Sequence, residues 1–242
     1  VQYAVSLEHP ERHLFRVTMT IPDVRGDVTV QMAAWNALYQ IRDFSSHVQQ
    51  LAAFAGAESA PIEKIDKQTW RIKGSGTITV RYATYWDEAG PFASQLNSEH
   101  AFINPAMILP YVSGRRAEAV SISIEDAPAE WGIETPSLWS IIQTGASRSM
   151  LIQASSYDQL ADGPIEVGKF QEFDLPGVMP RITVVVHGDN WRKKQVEEDL
   201  SRICQYELKL MDGAPFEPYT FILHIGKNAG GGGMEHANST AI

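Results

Sequence analysis

A single cysteine, Cys204, stands among the 242 residues, which excludes an internal disulfide and any structural zinc site built on cysteines. Packing has to supply the stability that cross-links do not. No apolar run is long enough to cross a bilayer as a helix, and Val1–Val5 has neither a basic region nor the apolar core of a signal segment. A helical membrane span is therefore excluded. Position 1 is Val instead of Met, so upstream residues are expected to have been removed; this leaves the compartment open, with a periplasmic or secreted location favoured over a cytoplasmic one. Basic residues are the scarcer charge: 20 Lys plus Arg face 29 Asp plus Glu, and the net charge of -9 repels phosphate backbones. Nucleic acid is excluded as a partner. No Gly-x-Ser-x-Gly elbow occurs, and Glu99 and His100 beside Ser98 point to opposite sides of an extended chain, which excludes a serine hydrolase of that type.

What is present is apolar material in two rhythms. Hydrophobic residues make up 44% of the chain, enough for one large core or two moderate ones. Through the first two thirds the period is two residues. Phe15, Val17, Met19 and Ile21, then Val28, Val30 and Met32, alternate with polar partners around a joint at Asp23–Gly26. Trp70 and Ile72, then Ile78, Val80 and Tyr82, then Val120, Ile122 and Ile124 repeat the pattern between Gly, Pro and Asp breaks, as in an antiparallel sandwich. Phe44, Val48 and Leu51 instead fall at helical spacing, so a short helix or irregular turn is expected within Ile41–Phe54.

After Tyr157 the rhythm changes. A strand-like run at Ile182–Val186 passes through Gly188-Asp189-Asn190 into Arg192–Met211, where Val196, Leu200, Ile203, Cys204, Leu208 and Met211 recur at steps of three and four. This predicts an amphipathic helix capped by Asp189 or Asn190, with Glu197, Glu198 and Asp199 near its positive end, and stopped by Gly213 and Pro215. A second strand follows at Tyr219–Ile225. Strand, helix, strand opens an α/β layer and does not continue a sandwich, so a domain boundary falls near Asp158–Glu166, dividing the chain into 1–162 and 163–242.

Past that strand comes Gly230-Gly231-Gly232-Gly233-Met234-Glu235-His236. It resembles the Gly-Gly-Met-Glu-His signature of glycyl aminopeptidase-like metallopeptidases, a gluzincin family related to the aminopeptidase N group. Trp35 followed by Ile41-Arg42-Asp43-Phe44 and His47-Val48 is similar to a stretch of that family's amino-terminal domain. So are Lys64-Ile65-Asp66-Lys67 with Thr69-Trp70, and His100-Ala101-Phe102-Ile103-Asn104 leading to Tyr111-Val112 and Gly114. Tyr157-Asp158, Pro164–Gly168, Phe170, Asp199-Leu200 with Ile203, and Tyr219-Thr220-Phe221 follow in family order. The chain departs from the family at Asn36-Ala37-Leu38-Tyr39, where a Pro-Gly turn is usual, and in having no His-Glu-x-x-His: its histidines are 9, 13, 47, 100, 187, 224 and 236.

The resemblance implies a mainly β chain, an antiparallel β-sandwich amino-terminal domain followed by the opening part of an α/β thermolysin-like catalytic domain. It implies a parent that is a zinc-dependent aminopeptidase releasing amino-terminal glycine or other small residues from peptide substrates. In such a parent zinc is held by two histidines and a downstream glutamate. None of these is expected here, so the chain is read as a portion ending before the zinc helix, with no cofactor, no metal ligand and no catalytic residue of its own, and inactive alone. Glu235 matches the carboxylate that pairs with the substrate's free ammonium group, the feature that tells an amino terminus from an internal peptide bond. Gly232, Gly233 and Met234 match the strand edge to which the peptide adds, glycine allowing close backbone approach.

Plainer readings stand beside these. A glycine run can be only a flexible loop. His236 fits a role in orienting its strand, and His224, alternating with apolar residues, reads as a packed or edge histidine without identifiable metal partners. Arg42-Asp43 reads as an ion pair fixing a loop, Cys204 as a core filler, and Trp131, Trp139 and Trp191 as packing residues. Were those tryptophans a sugar-stacking platform, the chain would be a non-catalytic β-sandwich module binding peptide or glycan. A sheet cut within a domain also leaves an uncovered edge and an apolar helix face, which predicts self-association.

Overall fold

The computed structural model describes residues 1–35, 41–136, 140–144, 149–227, 229 and 231–242. The chain begins with β1 (Gln2–Ser6), β2 (Leu14–Val24), β3 (Val28–Gln31) and β4 (Val48–Ala55). Next are β5 (Glu58–Ser59), β6 (Ile62–Lys64), β7 (Thr69–Ile72) and β8 (Gly76–Tyr85). Then β9 (Gln95–Leu96) and β10 (His100–Ile103) lead through the one-turn helix α1 (Pro105–Ile108) to β11 (Tyr111–Val112) and β12 (Val120–Glu125). After β13 (Gly132–Glu134), β14 (Ser140–Thr144) and β15 (Ser149–Ala154), the short helix α2 (Tyr157–Ala161) precedes β16 (Ile165–Gly168). The last part holds β17 (Gln171–Asp174), β18 (Ile182–Gly188), α3 (Lys193–Leu210), β19 (Tyr219–Ile225), β20 (Met234–Glu235) and β21 (Ser239–Ala241).

The alternation seen in the sequence becomes two facing sheets. One runs β14-β15-β12-β1-β2-β8-β4-β5 and the other β11-β3-β7-β6. Phe15, Val17, Met19 and Ile21 of β2, Val28 and Val30 of β3, and Ile78 and Val80 of β8 all enter one buried cluster between them, since side chains two apart share a sheet face. Pairing is antiparallel except that β1 lies parallel to β12. The joint at Asp23–Gly26 does not close a hairpin. The chain crosses there from the first sheet to the second, β3 pairing with β7 and β11. Inside the sandwich, the segment 105–110 has its carbonyls met by buried phenols: Tyr3 donates to Pro110, Tyr82 to Ile108 and Tyr157 to Leu109, at 2.6–2.7 Å. Buried backbone acceptors need such partners, and burial raises the pKa of all three tyrosines.

A third sheet, β13-β16-β10-β9, adds Leu96, Ala101, Ile103, Ile165 and Val167 to the same buried cluster. The fourth, β17-β18-β19-β21-β20, carries α3 and a separate apolar cluster built from Phe173, Ile182, Val184, Val186, Cys204 and Leu223. Its strands β18, β19 and β21 are mutually parallel, as the strand-helix-strand order requires. Gly188, at the end of β18, is the one position there that must lack a side chain: with φ +114° its added Cβ would lie 1.9 Å from the Ile225 carbonyl oxygen. Among the described residues no helix is long and apolar enough to cross a membrane.

Several expectations are corrected. The short helix expected within Ile41–Phe54 is the 3-10 turn Phe44–His47, but the stretch continues as an unexpected strand, β4, because pairing with β8 offers it a ladder that outweighs its helical spacing. Neither Asp189 nor Asn190 caps α3. Asp189 accepts the side-chain amide of Asn190, Asn190 turns left-handed at φ 60°, and the helix starts from Arg192 without a side-chain cap. The buried stripe of α3 follows Val196, Leu200, Cys204 and Leu208, whereas Ile203 and Met211 lie off it, 55% and 73% exposed. Asp43 pairs with Lys67 and Ser45, not with Arg42. The departure at Asn36–Tyr39 and Trp139 lie outside the described residues. Trp131 is buried and Trp191 stacks on Phe173, so these two act in packing.

Candidate functional site

The glycine-rich segment ends in β20, which pairs with β21 alone: Met234 stands opposite Ala241 and Glu235 opposite Thr240. β20 is the last strand of its sheet, so its outer edge offers unpaired backbone groups. Met234 points into the protein and Glu235 to the exposed side, as alternation demands. Among the described residues no ion pair holds the Glu235 carboxylate. Gly232 needs its missing side chain: at φ +102°, an added Cβ would meet the Phe92 ring at 2.7 Å. Phe92 is held in place by the buried Asn104, whose amide donates to the carbonyls of Pro91 and Ala93. Gly233 is exposed with its neighbours at contact distance, and Gly230 lies outside the described residues. His236 turns inward, its Nδ1 3.1 Å from Asp162, which also accepts the Ala237 amide at 2.9 Å. It orients the strand, as the sequence suggested.

A second group of side chains was not assembled by sequence reasoning. Glu166 of β16 is completely buried. Its Oε1 accepts from His100 Nδ1 at 2.8 Å and its Oε2 from His224 Nε2 at 2.9 Å, while His187 Nδ1 lies 3.7 Å away. The His100 and His187 rings stack, 3.9 Å apart and 6° from parallel, and His224 stands edge-on to both. Behind His100, Gln95 accepts from Nε2 at 3.1 Å, its own amide nitrogen being committed to Asp87. Behind His187, the Lys169 carbonyl accepts from Nδ1 at 3.1 Å. An open crevice of about 1140 Å³ reaches these rings, bordered also by Trp131, Asn97 and Lys227. It lies at the carboxyl ends of β18 and β19, where open α/β sheets commonly place ligands.

His100, Glu166 and His187 bring ligand-type atoms within 4.8 Å of one another, yet they do not fit a zinc ion. A coordinated metal lies in the plane of each imidazole ligand, and two parallel stacked rings share no such plane. His187 Nδ1 faces a carbonyl and therefore carries a proton. Both Glu166 oxygens are already taken by N–H donors. The cluster is a buried carboxylate neutralised by imidazoles. Burial pushes the Glu166 carboxyl up, but the bonds from His100 and His224 outweigh it and hold it at about 2. Burial first, then the proximity of His100, lowers His187.

His224 is packed, as its alternation with apolar residues suggested, and it is also bonded to a buried carboxylate. Its partners sit on three other strands, the carboxylate 58 residues away in sequence. One signal was present: Glu166 interrupts the apolar pair Ile165 and Val167 in a strand whose four residues are all buried, and a buried charge requires partners.

Residues 2–169 match the family model described as the Peptidase M61 N-terminal domain. No curated protein sequence matches the chain. Among solved structures, an aminopeptidase N family protein from Idiomarina loihiensis superposes with a TM-score of 0.88 at 28% identity over 99% of this chain. The chain spans 41% of the length of that protein. An M1 zinc metallopeptidase from Deinococcus radiodurans, at 12% identity and TM-score 0.56, shares the fold over 99% of this chain and 58% of its own. Yeast LTA4 hydrolase in complex with bestatin does so at 12% identity and TM-score 0.59, over 100% of this chain and 39% of its own.

Proposed function

The chain belongs to the peptidase M61 family through its N-terminal domain, and on that premise we propose that it is the substrate-anchoring portion of a zinc-dependent aminopeptidase that releases glycine or other small residues from the amino ends of peptides. Residues 1–162 are the sandwich domain of this reading, and 163–242 open its catalytic domain. The observation that carries it is the placement of Glu235: an exposed carboxylate without an ion-pair partner among the described residues, on an edge strand that follows glycines.

A peptide added along the outer edge of β20 borrows its unpaired N–H and C=O groups, and its first ammonium group lies against Glu235. The charge-assisted bond selects a free amino terminus, because an internal peptide offers no cation there. Phe92 against Gly232 fixes the approach to that edge. No His-Glu-x-x-His occurs in the 242 residues, so zinc activation of water belongs to residues outside them, and these residues alone are inactive. The exposed side of α3, with Ile203, Tyr206, Leu210 and Met211, supports self-association of the isolated stretch.

The test uses the parent enzyme with Glu235→Gln. Loss of one charge-assisted bond lowers kcat/KM for free-amino-terminus peptides by roughly 10- to 150-fold. Turnover of an amino-blocked peptide amide stays at its residual level. Equal turnover of free and blocked peptides by the unsubstituted parent refutes the assignment.

A further inference from the structure

Two units meet at the buried carboxylate. Glu166, although it follows residue 162, lies on a strand that pairs with the His100 strand and packs into the sandwich core, while His187 and His224 are register partners on β18 and β19 of the α/β sheet. Among the described residues the buried apolar cluster shared by the two units is Phe102 of β10 with Ile222 of β19 and Ala241 of β21. Polar contacts therefore carry much of the junction, the Glu166 cluster on one side and the Asp162–His236 contact on the other. The crevice gives water a route to the cluster.

We propose that Glu166 and its imidazoles form an acid-releasable fastening between the sandwich and the α/β sheet, closed near neutral pH and opened by added protons. The stack makes this work. Each ring nitrogen of His100 faces an acceptor, Glu166 on one side and Gln95 on the other. A positive charge on His187 sits face to face with the His100 ring at 3.9 Å, and the Glu166 oxygen 3.7 Å from it already accepts from His100, so parting of the sheets relieves it. His224 is confined by the edge of Phe102 on the sandwich side. Besides the Asp162–His236 pair, Glu134 of β13, register partner of Glu166, is a charged neighbour across the junction, close to Glu172 and Asp174 of β17 and to Arg181.

The signs differ by group. His187 is lowered by burial, so its contribution is complete above its ordinary 6.5 and is lost as pH falls through its folded value. Glu166, held at about 2, contributes above its ordinary 4.5 and loses that contribution towards 2. Glu134 acts oppositely. Burial and the neighbouring Glu172 raise it to about 7, so its contribution is present below 4.5 and is lost as pH rises to about 7. Between 4.5 and 6.5 Glu134 and His187 oppose each other, and the acid release emerges in full once Glu134 is made neutral.

The test is amide hydrogen exchange on the 242-residue chain from pH 4.5 to 7.5, corrected for the intrinsic pH dependence of exchange. In Glu134→Gln, the opening of β16 and β19 should rise by up to about tenfold per pH unit below 6.5, while β8 within the sandwich stays protected. Adding His187→Phe, which keeps a stacked ring without a titrating nitrogen, should flatten that response. The same slope with and without His187→Phe, or β8 opening in step with β16 and β19, overturns the proposal. Should the double variant not fold, the NMR titration of His187 in the unsubstituted chain decides: a midpoint below 6.5 supports the fastening, and one at or above 6.5 overturns it.

Discussion

Glu166→Gln tests how much the buried carboxylate holds the fold. The side chain keeps its shape, but the amide has one acceptor instead of two, so either His100 or His224 faces an N–H instead of an oxygen. The native state prefers the ionised form of Glu166 by the difference between an ordinary 4.5 and about 2, which is about 3 kcal/mol at ~1.4 kcal/mol per pH unit. The figure agrees with the roughly 3–5 kcal/mol typical of breaking one partner out of a buried pair. For a chain of this size it corresponds to a fall of about 6 to 12 °C in Tm at pH 7. Thermal unfolding followed by far-UV circular dichroism reads it directly. The carboxylate's contribution disappears as pH falls from 4.5 towards 2, so the gap between parent and variant should close over that range. A loss under about 2 °C at neutral pH, or a gap that does not narrow on acidification, would show that the imidazoles leave the charge uncompensated and that the reasoning is wrong.

Further outcomes follow from close approaches and burial. Gly188→Ala drives a methyl into the Ile225 carbonyl at 1.9 Å; neither backbone can yield cheaply, so we expect a loss above about 3 kcal/mol in urea unfolding. Gly232→Ala meets only the Phe92 ring, at 2.7 Å, but at φ +102°, and should cost about 1–3 kcal/mol, seen as faster hydrogen exchange at Met234 and Glu235 with β8 unchanged. The Cys204 thiol is buried and its pKa raised, so a thiol reagent should label it only as fast as α3 opens. Cys204→Val should shift stability by less than about 1.5 kcal/mol, whereas rapid labelling of the native chain contradicts the packing of α3.

The elements were legible where one face of one element decides the pattern. β2, β7, β8 and β12 follow two-residue alternation in the sequence and largely in the structure, since a strand that buries one face must alternate. α3 was equally plain, though its buried stripe was not: Ile203 fits the spacing but lies beside the face that Leu200, Cys204 and Leu208 turn to the sheet. β4 was hidden because its ladder partner, β8, is some 30 residues away and overrode a local helical spacing.

The site divides in the same way. Glu235 and its glycines are contiguous, so their chemistry could be read as a motif, and alternation alone tells which of Met234 and Glu235 faces outward. By itself, then, the sequence determined the family, the two rhythms of the chain and the carboxylate at the sheet edge, all of which rest on neighbours along the chain. Only the tertiary structure decided that Glu166, His100, His187 and His224 meet, because no local spacing encodes an encounter between four strands. The requirement that a buried charge be compensated acts only after the two sheets have closed on it.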